Sequence, residues 1–206
     1  MTEPFGIRSI KPCTKVSMPP ARGPKSLVRK RVLRMYLPYY LQVHTVATLV
    51  MGKDGSTTKD GNSAGVSTNT DRERFLKRRR EFDCIIIGGN TARNESYAIT
   101  PCPLVVISRH PSNVLITNPN AYWWNMDPKS ALEKAKREFG PDILIEAGPA
   151  LINEFLKLGL IDQLEISVTP ITGGEHLIDL NEALRGFEIT NDEMVEETRF
   201  VTAKKR

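Results

Sequence analysis

The sequence predicts an α/β protein, with a mixed, mostly parallel sheet flanked by helices and an antiparallel C-terminal hairpin. Three observations predict it. The runs Asp83-Cys-Ile-Ile-Ile-Gly-Gly89, Leu104-Val-Val-Ile-Ser-Arg109 and Asp142-Ile-Leu-Ile145 are continuously apolar and rich in β-branched residues, the pattern of strands buried on both faces. Segments of helical period separate such runs, as crossover helices do in a parallel sheet. Near the end, Gly186 to Thr190 and Met194 to Thr202 read as two strands of a hairpin around Asn191-Asp192.

The bulk composition bounds the rest. A chain of 206 residues, 40% hydrophobic, suits one domain with an extension. Residues 1–35 hold nine Lys/Arg, one acid and Pro4, Pro12, Pro19, Pro20 and Pro24, with no periodicity. This basic, Pro-rich segment is expected to be a flexible extension. A solvated tail, a packing arm, an organelle address and a contact to RNA all remain open for it. Residues 36–206 carry twenty Lys/Arg against twenty-three acids, so the body is not a basic nucleic-acid surface. No run of about 18 apolar residues exists, which excludes a membrane-spanning helix. Cys13, Cys84 and Cys102 are odd in number and lack zinc spacing, so no metal site and a reducing, cytoplasmic compartment are expected.

In chain order, Tyr39 to Met51 is the first strand, and His44 within it reads as a hydrogen-bonded core residue. Gly52 to Gly55 is a turn, and residues 56–69 form a Ser/Thr/Gly-rich loop too polar for the core. Thr70 or Asn69 caps a helix from Asp71 to Phe82. Its Lys77-Arg-Arg-Arg80 run is a solvated face or a grip for a substrate phosphate. The strand ending in Gly88-Gly89 leads to a short helix over residues 90–95. The next strand ends in Ser108-Arg109, a pair suited to a phosphate or simply a polar strand end. Val114 to Thr117 reads as a short strand, and Asn118 to Asp127 as a loop whose Trp123 and Trp124 suit either a stacking surface or a core plug. Pro128 to Phe139 is an amphipathic helix stopped by Gly140-Pro141.

The segment Asp142 to Pro170 is a βαβ unit: a strand, then Gly148-Pro149 opening a helix that ends at Gly159, then a strand from Asp162. Gly148 at the strand–helix junction lets a backbone approach a ligand, and the helix start favours phosphate. A tight turn without a ligand is the other reading of the same residues. Thr172-Gly-Gly174 is a turn, and Leu177 to Leu184 is irregular before the closing hairpin.

Taken together, Lys53-Asp-Gly55, the Ser/Thr loop with the helix bearing Arg79, Ile87-Gly-Gly-Asn-Thr91 with Glu95, Val105-Val-Ile-Ser-Arg109 and Ile145-Glu-Ala-Gly-Pro149 with Gly159-Leu-Ile-Asp162 resemble a known family. It is the pyrimidine reductase of riboflavin biosynthesis, the C-terminal domain of bacterial bifunctional riboflavin deaminase–reductases, in the dihydrofolate reductase-like fold. The resemblance covers about residues 38–203. It implies reduction of 5-amino-6-(5-phosphoribosylamino)uracil by NADPH in a reductase domain over residues 36–206. With no deaminase signature of His/Glu and paired Cys present, a stand-alone reductase is expected. The resemblance places Gly88, Gly89, Thr91 and Glu95 by the cofactor, Ser108 and Arg109 near the adenosine 2′-phosphate, and Gly148, Pro149, Ala150 and Leu151 around the pyrophosphate. Asp54, Ser63, Arg79 and Glu146 match substrate-side positions, with Asp54 and Glu146 the candidates for catalytic ordering of the pyrimidine and ribose. A homodimer is implied, as is a phosphoribosylaminopyrimidine as the small-molecule partner. Where the family carries Ser-x-Trp this chain has Ser63-Ala-Gly65, and the family's D-D-P-x-L-T-x-R run is here Glu95-Ser-Tyr-Ala-Ile-Thr-Pro101. Those departures leave open another NADPH reductase of the same fold, acting on a pterin, folate-like or other imine.

Overall fold

The computed structural model describes residues 45–206. The basic extension, Cys13, His44 and the opening of the first strand at Tyr39 lie outside the described residues.

The described chain runs β1 (Thr45–Gly52), β2 (Ser56–Thr58), α1 (Asn69–Arg78), β3 (Cys84–Gly88), α2 (Gly89–Asn94), β4 (Leu104–Ile107), α3 (Val114–Thr117), β5 (Ala121–Trp124), α4 (Pro128–Glu138), β6 (Ile143–Ile145), α5 (Pro149–Lys157), β7 (Gln163–Thr169), β8 (Glu175–Leu177), α6 (Leu180–Ala183), β9 (Phe187–Val195) and β10 (Thr198–Lys205). Eight strands form one sheet in the order β5-β4-β3-β6-β1-β7-β10-β9. From β5 to β7 every neighbouring pair is parallel, and β10 pairs antiparallel with both β7 and β9. This is the mixed, mostly parallel sheet with a C-terminal hairpin that the sequence predicts.

Burial on both faces explains the unbroken apolar runs. On β3, Cys84 and Ile86 enter one core cluster while Ile85 and Ile87 enter the other. The first cluster is covered by Ala131, Leu132 and Ala135 of α4 and by Ile152 and Phe155 of α5. The second takes Ala92 of α2 and Val114 of α3. Phe155 is fully buried, and its truncation to alanine is worth about 3–5 kcal/mol.

Several local expectations are corrected. Helix α1 is capped by Thr68, whose hydroxyl accepts from the Asp71 amide at 3.3 Å, and it breaks into a 3-10 turn at Arg79–Glu81. Within the basic run, Arg78 and Arg79 are not solvated: each turns inward to a carboxylate, Glu165 and Glu146. The Ser/Thr loop contributes β2, which pairs with β8, and buries Ser56, Thr57 and Val66. Serine and threonine can enter this layer because partners meet them: the Thr57 hydroxyl donates to the His176 carbonyl at 2.8 Å. Val114–Thr117 is a helical turn rather than a strand, and the following residues, read as a loop, form the edge strand β5. The irregular stretch before the hairpin contains the end of β8 and α6. The hairpin reverses after Val195, not at Asn191-Asp192: Glu196 takes φ +54°, while Asn191 and Asp192 sit paired within β9.

Candidate active site

Parallel pairing brings three strand ends side by side. Strand β3 lies between β4 and β6, with Gly88 opposite Ile107 and Ile86 opposite Ile145. The residues that follow therefore gather at one carboxyl edge: Gly88-Gly89, Ser108-Arg109 and Glu146-Ala-Gly148. Ligands of open α/β sheets bind at such an edge. Two adjoining cavities occupy it. An outer cleft of about 810 Å³ lies within the ~300–1,000 Å³ usual for small-ligand sites. A tighter inner pocket shares Thr58, Thr91, Glu95, Gly148 and Pro149 with it.

The outer cleft gathers Gly88, Gly89, Thr91, Glu95, Ser108, Arg109, Gly148, Pro149, Ala150 and Leu151. Its glycines are there for different reasons. A Cβ on Gly89 would lie 2.4 Å from Ser108 Oγ and 2.8 Å from Ser108 Cβ, so packing alone demands glycine. Gly148 has φ −68°, open to any residue, and a Cβ there would meet nothing within 4 Å. Neither backbone nor packing asks for glycine at 148. Its amide donates to Thr91 Oγ1 at 3.3 Å, and Pro149 occupies the first turn of α5. The amides of Ala150 and Leu151 belong to that same turn, where no intrahelical acceptor exists and the dipole is positive. Arg109 is exposed and makes no ion pair among the described residues. Glu95 also braces the neighbouring loop. Its Oε1 accepts from the Ser63 amide at 2.6 Å and ties the Ser/Thr loop to the end of α2.

The inner pocket is lined by Ser63, Ser67, Asp71, Arg72, Phe75, Tyr97 and Glu146, among others. Glu146 is held hard. Arg79 Nε donates to its two oxygens at 2.9 and 3.0 Å, and Arg79 Nη2 donates at 2.6 Å. The Tyr97 hydroxyl donates to Oε2 at 3.0 Å. Arg79 is itself sandwiched, its guanidinium carbon 4.2 Å from the Phe75 ring centroid and 4.7 Å from that of Tyr97. Burial pushes the Glu146 carboxyl above its ordinary value, and the Arg79 guanidinium and Tyr97 hydroxyl pull it back. Burial likewise pushes the Tyr97 phenol well up.

Two sequence-proposed residues are not on these walls. Arg79 stands behind Glu146 with its charge already matched, so it orients that carboxylate. Asp54 lines neither cavity. Its Oδ1 accepts from the Ser56 hydroxyl at 2.7 Å and its Oδ2 from the Gly173 amide at 2.6 Å. Those bonds, the Ser56 hydroxyl foremost, hold its pKa at about 2 and make it a turn clamp between β1 and the Gly173 loop. Tyr97, Asp71 and Arg93 line the cavities without standing out in the sequence. Tyr97 sits in an aperiodic loop, and Asp71 reads locally as a helix-start carboxylate.

The outer cleft has the donors that a phosphorylated dinucleotide needs: helix-start amides beside Gly148 and, at Arg109, a guanidinium with no ion pair among the described residues. No group of three or more His, Cys, Asp or Glu suited to a metal occurs among the described residues.

The family described as RibD C-terminal domain matches residues 43–194. No curated protein matches the chain. Among solved structures, RibD of Acinetobacter baumannii is 19% identical with a TM-score of 0.63, over 80% of this chain and 58% of that one. A diaminohydroxyphosphoribosylaminopyrimidine deaminase/5-amino-6-(5-phosphoribosylamino)uracil reductase of Thermotoga maritima is 14% identical, TM-score 0.60, over 88% of this chain and 62% of that one. A pyrimidine reductase-like protein of Corynebacterium diphtheriae is 16% identical, TM-score 0.63, over 86% of this chain and 98% of that one. At these identities the likeness is one of fold. The chain spans less than two thirds of the length of the Acinetobacter and Thermotoga proteins.

Proposed function

The chain belongs to the RibD C-terminal domain family, and from that premise we propose that it reduces 5-amino-6-(5-phosphoribosylamino)uracil with NADPH, turning the ribosyl group into a ribityl one. The observation that carries the reading is Gly148. A glycine that neither its φ of −68° nor its surroundings require leaves room at the mouth of a cleft, beside free helix-start amides. A pyrophosphate is the chemistry such a corner accepts.

In this reading, the amides of Ala150 and Leu151 bind the pyrophosphate and Arg109 takes the adenosine 2′-phosphate. Gly88 keeps the floor low, since only the Leu151 side chain approaches it, at 3.3 Å. The cofactor, when bound, supplies hydride. The ribosylamine opens to an imine whose C1′ carbon gains the hydride while its nitrogen gains a proton. Ser63 and Glu146 face the pyrimidine across the shared wall. Arg79 and Tyr97 fix the Glu146 carboxylate, so orientation is built in before substrate arrives. A homodimer and a cytoplasmic location belong to the same proposal. Among the described residues, no helix is long and apolar enough to cross a membrane.

A second reading, an NADPH reductase of this fold acting on another imine, draws on the turn Ser63–Gly65. A side chain at Gly65 would meet the Lys59 carbonyl at 2.4 Å, so the inner wall has no aromatic there. The experiment is NADPH oxidation with the phosphoribosylaminouracil as substrate, followed by identification of the ribityl product. Turnover supports the first reading. Tight NADPH binding without turnover moves the assignment to the second, and absence of NADPH binding overturns both.

A further inference from the structure

Asp71 is the unexplained carboxylate of the inner pocket. It is 7% exposed, lies in the first turn of α1, and lines the pocket between Ser67 and Phe75. Its Oδ2 accepts from the Ser67 hydroxyl. Its Oδ1 takes no hydrogen bond, and it makes no ion pair, among the described residues. A carboxylate this buried usually has a cation or several donors, because losing water costs it several kcal/mol. Glu146, the other buried carboxylate on the same wall, illustrates the rule with its arginine and tyrosine. Asp71 has one hydroxyl, the start of a ten-residue helix and the field of the Arg78 guanidinium, which does not hydrogen-bond it. It therefore keeps an acceptor in reserve on a residue that lines the pocket.

We propose that Asp71 reads the N–H edge of the substrate ring: Oδ1 accepts from a ring N–H of the pyrimidine, and Ser67 steadies the carboxylate for that contact. The inference rests on the pyrimidine reading above and adds the residue that selects the ring. An N-alkylated ring presents no donor there and leaves the acceptor dry. Sites built to bond an N–H reject analogues lacking it far better than apolar walls reject a shape.

The test measures binding of 5,6-diaminouracil and of its 1,3-dimethyl analogue, which lacks both ring N–H groups, to the NADPH-loaded protein. Neither probe need be reduced. The wild type is expected to prefer the unmethylated ring by about 10- to 100-fold, the range of a hydrogen bond to a charged acceptor. Asp71→Asn keeps an oxygen for Ser67 and replaces the other with a donor. It is expected to shrink the preference to within about twofold, with NADPH affinity and melting temperature unchanged. Ser67→Ala keeps the carboxylate but loosens it, and should lower the preference without abolishing it; a Ser67→Ala preference as small as that of Asp71→Asn would assign the effect to pocket damage and overturn the proposal. An unchanged preference in Asp71→Asn, or no binding of 5,6-diaminouracil to the wild type, overturns the proposal. If the preference follows Asp71 but the phosphoribosyl compound is not reduced, the ring-reading role stands and the reaction assignment falls.

Discussion

Glu146 and Gly148 are two residues apart at the end of one strand, yet they are opposites. Glu146 is nearly sealed, with side-chain exposure of 2%, and both its oxygens are bonded by Arg79, one of them by Tyr97 as well. Gly148 opens onto space where a Cβ would meet no atom of the described residues within 4 Å. The strand's alternation and the turn after it deliver both. A site of this kind needs one wall that cannot move and one mouth that nothing blocks. The difference teaches that the charged residue should govern stability first, and the glycine should govern ligand affinity alone.

The strongest way to break that division is Glu146→Ala, which strands a buried guanidinium. It is expected to cost about 3–5 kcal/mol of stability in chemical denaturation. A loss under about 1 kcal/mol, by the same measurement, would mean that Arg79 finds water or another partner. Next comes Gly148→Leu, expected to weaken NADPH at least about 100-fold in titration while stability moves by no more than about 0.5 kcal/mol. Comparable damage to stability and affinity would erase the contrast. Arg109→Ala sharpens the open side: NADPH should weaken about tenfold and NADH hardly at all. Equal losses would remove the 2′-phosphate from Arg109.

The smallest effect belongs to Asp54, a carboxylate satisfied as fully as Glu146 but at the surface. Its folded-state value of about 2 lies below the 3.8 of an ordinary aspartate. Its contribution to stability is therefore complete above that ordinary value and is lost as pH falls toward about 2. Asp54→Asn should flatten the acid limb of the stability–pH curve in that window and leave neutral-pH ligand binding unaltered. A variant that lost ligand binding at neutral pH would return Asp54 to the site.

How much can be read beforehand follows from how local each signal is. Strands β3, β4 and β6 are buried on both faces, so their own residues announce them. Strand β5 runs at the sheet edge with Tyr122 and Trp123 exposed, and nothing in Ala121 to Trp124 separates it from a loop. The hairpin turn is misplaced by sequence because Asn191-Asp192 carries turn chemistry, while the residue that takes the left-handed conformation is Glu196. The glycines of the outer mouth are visible because they follow apolar runs directly. The inner wall is not, because its decisive pair joins residues 67 apart, Arg79 and Glu146. By local pattern Arg79 is one of four equivalent bases; the family resemblance singles it out, and the fold shows that it turns inward to Glu146. Asp54 misleads for the opposite reason: a carboxylate in a turn looks available until the Ser56 hydroxyl and Gly173 amide take both its oxygens.

The contact between Gly89 and Ser108 constrains how this lineage can drift. Acquiring alanine at 89 first drives a methyl into Ser108 and costs about 1–3 kcal/mol, a sizeable part of a typical domain's margin. Shrinking 108 to glycine first opens the space and meets no such collision. Descendants that carry a side chain at 89 should thus have given up the serine beforehand, so the order of two mutations is written into one interatomic gap.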